Sequence, residues 1–251
     1  MNDGIDPIDG KRKSGPVPLK KLEEYQTFEE FYDGYKALLD YYLDLSVKAQ
    51  YHSYEVMNQH VSFLFTSLLT DDCIARGKAL LDGGVRYLGG TNETYGNINT
   101  SDSLWVIRDL VFNQKKYTLR QLNDAMLANF NGYEALRKDC LNCDKYGNDL
   151  ETADTMANDL YEFVAKGVRN RGIAIGMQYF LIVISNNQLN TEWGNRTAAS
   201  PDGRLSCMYM NPANNPQGGA NKSGPTAMLN SLAKFDAKYH GGSVQNIKFS
   251  P

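Results

Sequence analysis

The sequence is poor in the residues that metal and disulfide chemistry need. It holds four cysteines and three histidines in 251 residues. Disulfide frameworks belong to small, cysteine-dense secreted chains, so four in this length exclude one. Cys140-x-x-Cys143 is a lone knuckle. A structural zinc site needs about four ligands, normally two knuckles or added histidines, and His52, His60 and His240 supply no such spacing. A redox pair would need a strand-helix setting, whereas this pair ends a helix before a turn. We read two ordinary cysteines and no metal site. The chain also lacks a long hydrophobic run. The longest, Met177 to Ile184, is far short of the roughly 20 residues that span a bilayer. The start, Met-Asn-Asp-Gly-Ile-Asp-Pro, has no apolar core of a secretory signal. Neither charge sign dominates: 26 Lys+Arg against 29 Asp+Glu leave a net charge of −3. That balance carries no basic footprint for nucleic acid. We therefore expect a reducing, cytoplasmic protein with neither a nucleic-acid nor a membrane partner.

What is present is ordinary globular composition, 42% hydrophobic and 22% charged, which excludes a disordered chain. Residues 1–24 form a polar lead-in broken by Gly4, Gly10, Gly15, Pro7, Pro16 and Pro18, and we expect it to be extended. Residues 25–251 read as one domain, helical over 25–168 and strand, loop and helix over 173–251. Thr27 with Glu30 matches a capping box, and Phe28, Phe31, Tyr35, Leu38, Leu39 and Tyr42 follow at helical spacing. A second helix is expected over 52–69, and a short third, capped by Asp71 and Asp72, stopping at Gly83-Gly84. Residues 89–99 read as a loop. Helices are expected over 101–112, from the Thr118-Gln121 capping box to Phe130, and over 152–168. Ile173 to Ile184 reads as a strand buried on both faces. Residues 194–225, rich in Gly and Pro, form a long loop of the kind that carries sites, and the first proteolytic cuts are expected within 194–222. Pro225 suits the first turn of a helix to about Phe235. Val244–Phe249 reads as a last strand.

No catalytic constellation stands out. His52 and His60 share a helical face with no nucleophile placed near them. The glycine pairs lack phosphate-loop spacing. A small hydrolase or transferase built on the 194–225 loop has no credible nucleophile–base pair.

Several segments resemble the glycyl radical enzymes of the pyruvate formate-lyase family. They are Asp71-Asp-Cys-Ile-Ala-Arg-Gly-Lys78 with Asp82-Gly-Gly-Val-Arg-Tyr87; Ser101-Asp-Ser-Leu104 with Lys115-Lys-Tyr-Thr-Leu119; Lys145-Tyr-Gly-Asn-Asp149; Ser200-Pro-Asp-Gly-Arg204; and Lys222-Ser-Gly-Pro-Thr226 running into a helix. Asn246-Ile-Lys-Phe-Ser-Pro251 and Asn2-Asp-Gly-Ile-Asp-Pro7 also fit, so the resemblance covers essentially the whole chain.

The resemblance implies an α/β fold, part of a ten-stranded glycyl-radical-enzyme barrel with many outer helices. It implies a small-molecule substrate, a homodimer, and a glycyl radical installed by an S-adenosylmethionine-dependent iron–sulfur activating enzyme. The family's radical glycine lies in Arg-Val-x-Gly-Tyr and its thiyl cysteine in Gly-Cys-x-Glu. Neither motif occurs here, so no catalytic residue and no cofactor are assigned to this chain. The expectation is a segment between the cysteine loop and the glycyl domain, silent on its own. Acyl transfer is not favoured over elimination, decarboxylation or C–S cleavage. Asn186 and Asn187 stand where many members carry an aromatic-rich strand, which argues against the glycerol and choline lyase subgroups. Asn186, Asn187 and Gln217 are the candidate substrate-binding residues, since amides both donate and accept without adding charge. The rival reading is a helical interaction or scaffold module derived from the barrel.

Overall fold

A computed structural model describes residues 2–61, 63–183 and 187–247, and for 178–183, 187 and 243 the backbone course only. The lead-in is a folded-back hairpin rather than an extended arm. Ile5 bridges Arg12 in antiparallel sense, and Lys13 N donates to Gly4 O at 2.7 Å. Tyr42 fixes it with a 2.5 Å hydrogen bond to Lys13 O.

Helix α1 runs from Phe28 to His60 without a break, where the sequence suggests two helices. Leu43 and Val47 explain the difference, because they carry the buried stripe of Phe28 and Phe31 through the stretch between. The Thr27 cap forms, its hydroxyl accepting from Glu30 N at 3.2 Å. Glu30 accepts from Gln26 N instead of completing the box. Of the second expected helix, 52–60 belong to α1 and the rest forms the separate α2, Leu64–Leu69. Helix α3, Cys73–Arg76, ends at Gly77 rather than at Gly83-Gly84. Asp72 does not cap it: its carboxylate turns to Arg86, 2.9 Å away.

Residues 89–99 hold strand β1, Gly89–Glu93, and the start of α4, Asn97–Val106, in place of the expected loop. A π-helical turn, Ile107–Asn113, continues α4. Helix α5, Leu119–Leu127, opens on the full Thr118–Gln121 capping box. Then come α6, Glu134–Asn142, and α7, Glu151–Ala174. Because α7 keeps Ile173 and Ala174, strand β2 begins only at Gln178 and runs to Val183; Ile184 lies outside the described residues. Helix α8, Asn187–Asn195, follows. Helix α9, Gly224–Ala233, has Pro225 in its first turn. The last strand, β3, is His240–Ser243. It therefore precedes the expected Val244–Phe249, of which Val244–Ile247 carry no strand and Phe249 lies outside the described residues.

The strands form a parallel sheet in the order β1-β2-β3. Gly89 to Glu93 register on Gln178 to Ile182, and Leu181 pairs with His240 before a slip to Ile182–Gly242. Both flanking strands contain a Gly-Gly pair and few β-formers. Pairing with apolar β2, rather than local propensity, makes them strands. Parallel strands joined by helical crossovers define an α/β fold. Helix α7 packs on β2, α1 and α4, and its Leu160, Val164 and Val168 meet Leu104, Ile107 and Leu43 in the core. No described helix is long and apolar enough to cross a membrane.

Candidate functional site

Residues 196–223 contain neither helix nor strand, yet much of the segment is buried. Buried backbone must find hydrogen-bond partners, and here side-chain amides supply them. Asn99, in the first turn of α4, is the centre. Its Nδ2 donates to Asp202 Oδ2 at 2.7 Å and to Gln217 Oε1 at 3.1 Å. Its Oδ1 accepts from Asn211 N at 2.8 Å, while Asn99 N donates to Asn211 Oδ1 at 3.3 Å. Two asparagines so arranged pair side chain to backbone in both directions, as neighbouring strands do.

The Ser200-Pro-Asp-Gly-Arg204 turn closes on itself. Asp202 Oδ1 accepts from Ser200 Oγ at 2.5 Å and from Arg204 N at 3.2 Å. Arg204 is only 6% exposed. Its guanidinium forms no ion pair among the described residues. It donates to Ser200 Oγ at 3.2 Å, Leu205 O at 3.2 Å, Met208 O at 2.9 Å and Ala198 O. Burial pulls its pKa down, and neighbouring Asp202 works against that pull.

The second half of the loop docks on the turn after α6. Asn148 Nδ2 donates to Lys145 O and Ala220 O, both at 3.0 Å. Its Oδ1 accepts from Lys222 N at 2.7 Å and Ser223 N at 3.1 Å. Gly147, at φ +91°, is required for this approach: a Cβ there would lie 2.2 Å from Pro216 Cγ. On the same turn, Tyr146 N donates to buried Asp102 Oδ1 at 2.9 Å, and Asp102 Oδ2 has no partner among the described residues. Burial pushes the Asp102 carboxyl up to about 8, against the opposing charge of Lys145.

Lys145 Nζ donates to Cys140 O at 2.6 Å and Cys143 O at 3.2 Å. The two free thiols are pushed up by burial to about 12 and about 11, so neither is a thiolate nucleophile at neutral pH. No group of three or more His, Cys, Asp or Glu among the described residues could hold a metal ion. His52 and His60 are exposed on α1.

Of the candidate substrate-binding residues, Gln217 sits in the Asn99 hub and also donates from Nε2 to Tyr209 O at 3.1 Å. Asn187 opens α8, just after β2; its side chain and all of Asn186 lie outside the described residues. Sequence reading missed Asn99, Asn148 and Asn211. The available signal was the density of asparagine in 97–99 and 211–221, which we read as loop composition. Chemically, the arrangement positions backbone and presents neutral amides. It places no nucleophile beside a base.

A pyruvate formate lyase-like family model matches residues 1–189. The trans-4-hydroxy-L-proline dehydratase of Clostridioides difficile is 31% identical over 252 aligned positions, covering 100% of this chain and 32% of that enzyme. The glycyl radical subunit of 4-hydroxyphenylacetate decarboxylase from Clostridium scatologenes is 26% identical, covering 100% of this chain and 30% of that subunit. A solved structure concerning 1,2-propanediol dehydration in Roseburia inulinivorans superposes with a TM-score of 0.88 at 30% identity, over 96% of this chain and 31% of that one. The hydroxyproline dehydratase from C. difficile, solved with its substrate bound, also gives 0.88. A glycerol dehydratase from Clostridium butyricum gives 0.86, so the backbone does not set the chain apart from that subgroup. The chain spans about a third of the length of these relatives. With a family model matching most of its residues, the chain belongs to the pyruvate formate lyase-like family.

Proposed function

We propose that the chain builds three adjacent strands and the outer helices of a ten-stranded glycyl radical enzyme barrel, in an enzyme of the lyase type that eliminates water from a small polyol or hydroxylated amino acid. The observation that carries this reading is the superposition of nearly the whole chain on two dehydration enzymes at a TM-score of 0.88. Residues 25–251 act as one partial barrel domain behind the lead-in. The enzyme is a cytoplasmic homodimer served by a radical-activating partner.

No glycine of this chain stands in Arg-Val-x-Gly-Tyr and no cysteine in Gly-Cys-x-Glu. We therefore route no step through the radical and assign no catalytic residue here. The chain's part is binding and positioning. In parallel α/β sheets ligands sit beyond the carboxyl ends of the strands. Asn186 and Asn187 follow the carboxyl end of β2, and Gln217 is held by Asn99. These three amides line the substrate pocket and orient its hydroxyl groups without adding charge.

The test is reconstitution. The chain is combined with the remaining parts of the C. difficile hydroxyproline dehydratase, its activating enzyme and S-adenosylmethionine, without oxygen. A doublet in electron paramagnetic resonance, with dehydration of trans-4-hydroxy-L-proline, is expected only when all parts are present. A doublet from the chain alone, or a compact monomer that binds none of the parts, overturns the reading.

A further inference from the structure

One chain of hydrogen bonds joins α4, the long loop, β3 and α7. Asp236 O can only accept, so the Tyr161 hydroxyl of α7 donates to it at 3.2 Å. That uses the hydroxyl's single proton. His240 Nδ1, 3.1 Å from the same oxygen, is then the donor. Nε2 of this half-buried ring is left as an acceptor, and Asn214 Nδ2 donates to it at 3.3 Å. Asn214 Oδ1 accepts from Asn97 Nδ2, at the start of α4, at 3.2 Å. Every link runs in the same direction, and the order requires a neutral imidazole with its proton on Nδ1.

The same ring ends an aromatic column. It stacks on Tyr161 at 4.6 Å, Tyr161 lies 5.0 Å from Phe235, and Phe235 stacks on Tyr146 at 5.5 Å. The strand that follows is only His240-Gly-Gly-Ser243, and its register on β2 slips directly after His240. His240 is thus the side chain that ties this edge strand to the rest of the fold.

The groups packed around the ring offer a second proton no counter-charge among the described residues. The loop presents the Asn214 amide and α7 the Tyr161 hydroxyl. The Asp236 carboxylate is engaged by Lys238. Tyr239 has the cations Lys166, Arg169 and Lys238 over its ring. Burial lowers the His240 pKa. An imidazolium would gain some attraction for the Tyr161 face. Against that stand its lost hydration and an Nε2 proton aimed at the Asn214 amide donor.

We propose that His240 is an acid-sensitive latch: neutral, it fastens residues 236–243 to α7 and the long loop; protonated, it releases them and frees β3 from the sheet edge. The proposal does not depend on the barrel reading. Above the ordinary histidine value of 6.5 the ring is neutral in both states, and the latch is fully closed. Below it, the released segment takes up a proton that the closed one excludes. The closed state is therefore weakened by up to about tenfold per pH unit, until the closed ring's own lowered pKa is passed.

The test is nuclear magnetic resonance on the full chain, with hydrogen exchange read in β3 and, as reference, in α5. Near neutral pH the imidazole nitrogens should show Nδ1 protonated and Nε2 bare. On acidification, ring protonation and loss of β3 protection should share one midpoint below 6.5, while α5 stays protected. Exchange rates are corrected for their intrinsic pH dependence. One pH unit below 6.5, β3 should open severalfold more often, up to about tenfold. His240→Phe keeps a ring on Tyr161 and removes the titration. Its β3 should open more often at neutral pH and no longer respond to acid. Buried Asp102 is present in both chains, so its own titration cancels in this comparison. If His240→Phe fails to fold, the tautomer and the shared midpoint of the native chain decide. A proton on Nε2 at neutral pH, ring protonation without loss of β3 protection, or an acid response that persists in His240→Phe overturns the proposal.

Discussion

Residues 196–223 and residues 61–76 invert the usual relation between regular structure and burial. The loop has no helix or strand, yet Asn211 and Asn214 are almost wholly enclosed. The other segment has two helices, yet Val61, Leu64, Phe65, Leu68, Leu69 and Ile74 are exposed, Phe65 to 75%. The six-residue α2 is too short to be stable from its own hydrogen bonds. The loop is ordered by side chains that take over the work of a backbone ladder. In this fold, order follows from how completely polar groups are satisfied and apolar groups covered, rather than from secondary structure. Contiguous exposed apolar surface marks an interaction face.

The largest effect should come from unpinning the loop. Arg204→Ala leaves three backbone carbonyls and Ser200 Oγ without their donor. We expect a loss of at least about 3–4 kcal/mol, read from the urea midpoint, because each charged hydrogen bond contributes about 1.5–3 kcal/mol and such contributions do not add in full when one side chain makes them all. The variant should also change the proteolytic pattern. In the native chain the first cuts should fall in 61–79, contrary to the sequence expectation of 194–222; in Arg204→Ala they should move to the loop. Native cuts inside 196–223 would break the comparison.

Next in size is a pH effect beneath the same loop. Asp102 titrates near 3.8 when unfolded and at about 8 when folded. Between these values the folded chain keeps a proton that the unfolded chain has lost. Stability therefore falls as pH rises through this window and levels off above about 8. From pH 5 to 7 the loss should reach up to about 2–3 kcal/mol, at 1.36 kcal/mol per unit. Asp102→Asn should remove this slope, as urea midpoints at the two pH values would show. An unchanged slope would mean that Asp102 ionises freely in the fold.

Asn99→Ala should cost somewhat less, about 2 kcal/mol, by orphaning Asn211 N and one oxygen of Asp202. Asn190→Leu is its control. Asn190 is just as buried, but neither of its amide atoms has a partner among the described residues, so its replacement should be neutral or stabilising. Similar losses at both sites would mean that bulk, rather than the hydrogen-bond network, holds the loop.

Much of the helical frame was legible in the sequence. The Thr118–Gln121 box, the stripe of α7 and Pro225 in α9 all act where local rules put them. What was not legible depended on distant partners. Gly89-Gly-Thr-Asn-Glu93 and His240-Gly-Gly-Ser243 look like loops until β2 lies between them. Asp72 looks like a cap until Arg86, fourteen positions on, takes its carboxylate. The long loop was found, but its inward-facing asparagines were not, because an amide in a Gly/Pro-rich stretch reads as a solvated turn. Ser200-Pro-Asp-Gly-Arg204 stood out in the sequence as a segment shared with the family. Only the fold shows that its arginine binds carbonyls instead of an acid.

The smallest effect on stability, and the sharpest test of the other half of the comparison, is expected at Phe65. Its ring is mostly in water, so Phe65→Glu removes little buried area and leaves no cavity. Exposed substitutions of this kind usually stay within about 0.5 kcal/mol. Its effect on association should be much larger. Phe65 lies among Leu64, Leu68 and Leu69, all more than half exposed, and a charge in that patch opposes any apolar contact made there, at the cost of desolvating a carboxylate. Light scattering over a concentration series should show the native chain gaining mass and Phe65→Glu staying at 28.1 kDa, while the urea midpoints coincide. If the variant instead melts early, Phe65 is part of the core in solution, and α2 packs more closely than its exposure indicates. If both chains stay monomeric at every concentration, the exposed patch is inert toward its own kind, and the contrast between the two regions concerns burial alone.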